Sequence, residues 1–122
     1  MEVSVYYSEG ERMFQPFSVE RPGPSRVNKV LEFELPMDSE PDHYQVLEHL
    51  FEELNIGSKY RQPGVRSLSV GDVVVLNDKP WAVGRFSWDP IELDDLEHSE
   101  MLWENRYVEI PALMERLAGR IG

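Results

Sequence analysis

A chain of 122 residues has room for one domain built on a single core, because domains cluster at about 100 to 150 residues, and residues 1–122 are read here as one unit. Apolar residues make up 41% and charged residues 29%, which excludes the low-hydropathy composition of disordered chains, and the lack of cysteine excludes disulfides, thiolate metal sites and cysteine nucleophiles. With 23 acids against 12 Lys and Arg the net charge is −11, which opposes non-specific attachment to nucleic acid or anionic lipid.

In chain order, Val3, Val5 and Tyr7 alternate with polar residues ahead of a Glu9-Gly10 turn, which predicts a first strand. Phe14, Phe17 and Val19 are the candidates for its hairpin partner. The proline-rich stretch 21–25 reads as a loop. Beyond it, Val27, Leu31, Phe33 and Leu35 share one parity while Asn28, Glu32 and Glu34 share the other, the pattern of a strand with one face in water. Residues 40–56 change to helical spacing through Leu47, Leu50, Phe51 and Leu54, with Ser39 and Asp42 resembling a capping box and Gly57 as the stop.

Val73–Leu76, a turn at residues 77–80 and a second run over 81–86 predict a hairpin whose apolar residues occupy both parities, the mark of strands covered on both faces and central in a sheet. Asp94 and Glu97 suggest a short helix carrying Leu96 and Trp103, with a loop as the competing reading. Tyr107, Val108 and Ile110 suggest a short strand, and Pro111 opens a helix in which Leu113, Met114, Leu117 and Ile121 share a side. The expected fold class is therefore α+β: a small mixed or antiparallel sheet, partly closed into a barrel in one version, packed with two to three helices.

The charge is segregated along the chain. Residues 38–57 hold six acids and 89–104 hold seven, neither with any Lys or Arg, and between them residues 58–88 carry five bases against two acids. If the two base-free segments meet in space, one face is strongly negative.

Leu54-Asn55, Tyr60-Arg61-Gln62-Pro63, the run from Arg66 to Val74 (RSLSVGDVV) and Trp81-Ala82-Val83 occur in an order that resembles the YodL-like domain of proteins from plasmids, phages and integrated mobile elements. The resemblance covers about residues 54–83. It implies a mobile-element accessory protein, in a setting often shared with genes that counter host restriction, and it assigns no catalytic role to Ser67, Ser69 or Asp72. Read from the residues themselves, Gly71 suits a turn, Asp72 can accept bonds from nearby backbone amides, and the valines enter the sheet.

No phosphate-binding glycine loop, serine elbow or His-Glu-x-x-His pair is present. His43 and His49, six apart, do not share a helix face. Asp94, Glu97 and His98 could reach one cation on a helix, but a solvated acidic segment gives the same letters, so no metal or cofactor is expected. Trp81, Trp88 and Trp103 have core packing as their ordinary role, with Trp88 the candidate interface anchor.

The favoured function is non-enzymatic: an acidic protein that binds a host protein, in the cytoplasm, by mimicking nucleic acid against a defence component of the restriction or CRISPR type. Glu48, Glu52, Glu53, Asp94, Asp95, Glu97 and Glu100 would form the acidic face, with Trp88 at its rim. The alternatives are an interaction domain unrelated to defence, and a small anionic-ligand module using Arg61, Arg66, Arg85 and Trp81. The absence of a signal-peptide pattern and of any apolar run longer than Val73–Leu76 leads to the expectation of a soluble, unprocessed protein without a membrane partner.

Overall fold

A computed structural model describes residues 1–19, 23–37, 39–56, 59–98 and 106–121. Their elements run β1 (Glu2–Ser8), β2 (Ser25–Glu34), α1 (His43–Asn55), β3 (Val73–Leu76), β4 (Lys79–Val83), β5 (Trp88–Pro90), β6 (Leu96–His98) and α2 (Ile110–Ile121), with 3-10 turns at Gly10–Arg12 and Leu93–Asp95. The strands form one mixed sheet in the order β5-β4-β3-β1-β2-β6, antiparallel throughout except for the parallel pair β2 and β6. This is the expected small α+β fold. None of its described helices is long and apolar enough to cross a membrane.

The topology forces the sheet to curl. Five gaps of ~4.8 Å separate the edge strands of a flat six-stranded sheet by ~24 Å. The chain passes from Pro90 on one edge to Leu96 on the other, and six steps of at most ~3.6 Å span only ~22 Å when fully extended. The 3-10 turn within that link shortens it further. The edges therefore approach each other, giving a half-barrel with residues 91–95 strapped across its inner face.

Each face of the sheet has its own apolar cluster. On the outer face Val3, Val5, Leu31, Val74 and Leu76 pack under Val46, Leu47, Leu50 and Leu54 of α1 and Leu113 and Leu117 of α2. On the inner face Tyr6, Val27, Val73, Ala82 and Leu96 form a smaller cluster, with Ile91 of the strap against it. This explains the double parity of the Val73–Leu76 hairpin: the helices cover one face and the strap the other. Asn77 and Asp78 both adopt positive φ (47° and 65°) to close the two-residue turn.

Several elements differ from the sequence pattern for identifiable reasons. In β2 a bulge lies between the pairs Val5↔Leu31 and Tyr6↔Lys29, so Val30 is the extra residue and the face changes there. Val27 consequently lies on the inner face although it shares a parity with Leu31. The expected hairpin partner at Phe14, Phe17 and Val19 is not a strand, because β1 is already paired by β2 on one side and β3 on the other. That segment is instead a loop seated on Gly71. Helix α1 begins at His43 with Asp42 as its cap, the carboxylate accepting from the Tyr44 amide at 2.9 Å, so Ser39 is not the capping residue. The segment after Asp94 is a 3-10 turn followed by β6 rather than a helix, and it is closed by reciprocal bonds between Glu92 and Asp95. The strand after the hairpin turn ends at Val83, leaving Phe86 fully exposed. The strand expected at 107–110 is a single bridge, Arg61↔Tyr107. Gly57 and Trp103 lie outside the described residues.

Gly71 is the glycine on which this arrangement depends. Its φ is +90°, and a Cβ there would lie 2.4 Å from the Gln15 carbonyl oxygen and 3.2 Å from that of Arg12. Gly71→Ala is expected to lower stability by more than the ~1–2 kcal/mol of the backbone conformation alone. The readout is a lower urea midpoint at unchanged slope; an unchanged midpoint would show that the 9–19 loop is not seated there.

Candidate functional site

The phrase that carries the family resemblance folds into a buried polar node. Asp72 is fully buried, and its carboxylate accepts from the Ser8 amide at 2.9 Å and the Ser69 amide at 2.8 Å. It also takes both terminal nitrogens of Arg66, at 2.5 and 2.8 Å. The same guanidinium donates to the carbonyls of Ser67 and Ser8 and lies over the rings of Tyr7 and Phe14, 4.2 and 5.4 Å from their centres. Tyr7 in turn donates to the Arg66 carbonyl, and its hydroxyl shares a short hydrogen bond with that of Tyr107. Asn55, at the end of α1, closes the node from the other side by pairing with both the N–H and the C=O of Leu68.

Burial pushes the Asp72 carboxyl up from its ordinary value, against the opposing pull of Arg66 and the two amides. For Arg66, burial works to lower its value, but the hydrogen bonds and charge of Asp72 outweigh it and the net shift is upward. Burial likewise raises both Tyr7 and Tyr107. These groups hold the fold together. Four of the five guanidinium N–H groups of Arg66 are engaged within the chain, which leaves little for an anion.

The rest of the predicted anion patch is dispersed. Arg61 turns back onto the Val65 carbonyl at 2.8 Å. Trp81, 7% exposed, donates to His43 of α1, and Arg85 is exposed in the turn after β4. Trp88 is a core residue, edge-to-face with Phe51 of α1 at 6.1 Å, rather than an exposed rim anchor.

Nor do the two base-free segments make one face. Glu48, Glu52 and Glu53 lie on α1, which covers the outer face of the sheet, whereas Asp94 and Asp95 lie on the strap that crosses the inner face; Glu97, one step beyond the inward-facing Leu96 in β6, points the other way and lies 3.9 Å from Arg26. Glu100 lies outside the described residues. Two of the α1 acids are also matched by charge. Arg116 and Arg120 of α2 reach Glu53 at 3.0 and 2.6 Å, and Arg120 reaches Glu52 at 2.7 Å. Glu48 remains exposed.

What the fold assembles instead is an acidic groove on the inner face, about 480 Å³ in volume. Its floor is Ser4, Tyr6, Val75 and Leu93, and its carboxylates are Glu2, Glu32, Glu34 and Asp78. Pairing places Glu2 directly opposite Glu34 and Ser4 opposite Glu32. Like charges directly opposed across an antiparallel pair are destabilising. The positive groups set against them are the Lys29 ammonium, 3.0 Å from Glu32, and the amino group of Met1, 3.2 Å from Glu34.

The strand parity that puts Glu32 and Glu34 in water was readable in the sequence. Their meeting with Glu2, Asp78 and the strap depends on the strand order and the curl, which no local pattern encodes. No group of three or more His, Asp or Glu side chains among the described residues is arranged to hold a metal ion. Comparison with protein-family models, curated proteins and solved structures finds no match to this chain.

Two predictions follow from these contacts. Asp72→Ala, which leaves Arg66 partly buried without its counter-charge, should cost about 3–5 kcal/mol of folding stability by denaturant titration; a loss below 1 kcal/mol would show that the node is not a stabilising unit. Burial raises the Glu53 carboxyl, but Arg116 and Arg120 outweigh it and hold the group below its ordinary 4.5. Its contribution is thus present above about pH 4.5 and is lost as pH falls through the depressed value. Glu53→Gln should be less stable than the parent at pH 7, with the difference shrinking toward pH 3; a difference independent of pH would place its effect outside the ion pairs.

Proposed function

We propose that this protein is a non-enzymatic binding protein whose acidic inner groove engages a basic surface of a partner protein, taking the place of nucleic acid there. The observation that carries the reading is the gathering of four exposed carboxylates, Glu2, Glu32, Glu34 and Asp78, in one groove against two positive groups, Lys29 and the Met1 amino group. Side chains two apart on a strand repeat every ~6.7 Å, close to two steps of the ~3.4 Å rise per charge along a nucleic-acid strand. Glu32 and Glu34 thus lie at a spacing that suits a surface built for phosphates, and Glu2 adds a second row.

The resemblance over residues 54–83 supplies the biological part of this proposal: an accessory protein of a mobile element, acting in the cytoplasm on a host component that handles nucleic acid. Binding is favoured over catalysis because all four groove carboxylates are exposed rather than held in a desolvated pocket. The anionic-ligand alternative is disfavoured by the engagement of Arg66 with Asp72.

The test is capture from a bacterial lysate on the immobilised protein at low salt, followed by elution with duplex DNA. Nucleic-acid-binding proteins should be retained and then displaced by the DNA. Glu32→Lys with Glu34→Lys, which also breaks the pairs to Lys29 and the Met1 amino group, should abolish retention while a cooperative melt at a lowered temperature shows the protein still folded, whereas Glu48→Lys should have little effect on either. Retention that survives the groove reversal, or that DNA does not displace, would refute the reading.

A further inference from the structure

Behind the rim of the groove, a chain of hydrogen bonds runs from the sheet through α1. The Trp81 indole N–H of β4 meets Nδ1 of His43 at 3.1 Å, and Nε2 of His43 lies 2.8 Å from Oε1 of Glu40. The same Glu40 oxygen accepts from the Asn77 side-chain amide at 3.1 Å, and Asn77 Oδ1 accepts from the Glu2 amide at 2.8 Å. Asn77 and Glu2 both line the groove. An indole N–H can only donate, so Nδ1 of His43 must be the acceptor and carries no proton. The ring is therefore the neutral tautomer with its proton on Nε2, donated to the Glu40 carboxylate.

We infer that His43 makes the groove responsive to pH: protonation of its Nδ1 breaks the bond to Trp81, loosens the start of α1 from the sheet, and places a positive charge behind the acidic rim. This rests on the groove being the binding surface. A second proton on the ring sets two donors, Nδ1–H and the indole N–H, against each other, so the two rings cannot keep their present contact. Histidine is the side chain that changes charge between pH 5 and 8, a range in which ordinary carboxylates stay ionised.

The charged and titratable groups around the imidazole come from each neighbouring element. Glu40 precedes α1, and its carboxyl is held below its ordinary value by the bond to His43 first and that to Asn77 second. Tyr44 of α1 packs on Trp81 with ring centres 5.0 Å apart, and the Lys79 ammonium of β4 lies 5.1 Å from the Trp81 ring centre. Beyond Asn77 stand Glu2 of β1, Asp78 of the turn and the Met1 amino group, which pairs with Glu34 of the groove and whose charge also acts on Glu40. Glu40 lies on one side of the ring and the Trp81 donor on the other, so the present pair of bonds fits the neutral Nε2–H tautomer. A cationic partner in the groove joins Trp81 in favouring the neutral ring, and by reciprocity proton uptake weakens that partner's hold.

The test has two arms. In the first, nitrogen NMR of the imidazole should show the Nε2–H tautomer at pH 8, and the Trp81 indole N–H signal, identified by its loss in Trp81→Phe, should shift on acidification with the same midpoint as His43. An Nδ1–H tautomer, or an indole signal that does not follow the histidine, overturns the inference. In the second arm, a deca-arginine peptide is titrated at constant salt between pH 8 and 5.5. The parent should lose about fivefold or more in affinity. His43→Gln, whose amide can accept from Trp81 and donate to Glu40 without titrating, should lose markedly less than the parent. Equal pH dependence in parent and variant overturns the coupling. Failure of the peptide to bind at every pH overturns the groove reading itself and with it the coupling, while the NMR arm still reports whether His43 and Trp81 titrate together.

Discussion

The bidentate pair of Arg66 and Asp72 is the contact on which the arrangement of this fold depends. A carboxylate buried as fully as Asp72 is tolerable only if its lone pairs are filled, and here two backbone amides and a guanidinium fill them. The donors come from the end of β1 and from the 66–69 segment, so one charge in the turn that leads into β3 pins that turn to a strand end 64 residues away in sequence. Tyr7, held under the guanidinium, carries the linkage on to Tyr107 and so to the approach to α2. Replacing such a pair by well-packed apolar residues can be neutral for stability in general. What apolar residues could not supply is the directional set of bonds that places Ser8, Ser69 and Gly71 relative to one another.

The curl of the sheet is the second constraint, and the charge distribution follows from it. Because a strap of five residues joins the two edge strands, the acids it carries lie on the inner face, while those of α1 lie on the outer one. The outer acids face the arginines of α2 and help clasp the two helices. The inner face also carries strand glutamates that oppose each other across β1 and β2. Acidity of similar density along the chain thus divides into a part that stabilises helix packing and a part left facing solvent in a groove.

Much of the architecture was legible in the sequence because local patterns encode it. The spacing of Leu47, Leu50 and Leu54, the double-parity run at Val73–Leu76 and the Pro111 start of the last helix each report a local periodicity that the structure keeps. The turn reading of Gly71 and Asp72 also holds, with Asp72 accepting backbone amides. What was not legible depends on partners distant in sequence. The bulge at Val30 moves Val27 to the other face, and the pairing of β1 on both sides excludes Phe14 and Phe17 from the sheet. Trp88, at a junction of charge segments, is drawn into the core by Phe51. The acidic groove needed strand order and curl together, so the residues picked from charge runs alone, Glu48, Glu52 and Glu53 among them, belong to a different surface from Glu2, Glu32 and Glu34.

If the Asp72 node holds the fold together, the amides bonded to its carboxylate open only when the whole domain unfolds. Native-state hydrogen exchange at the Ser8 and Ser69 amides, measured against increasing denaturant, tests this most directly. The account predicts that both exchange with the free energy and the denaturant dependence of global unfolding. Exchange at either amide with a markedly smaller free energy and little dependence on denaturant would show that the node opens locally, and would contradict the claim that the rest of the structure depends on it.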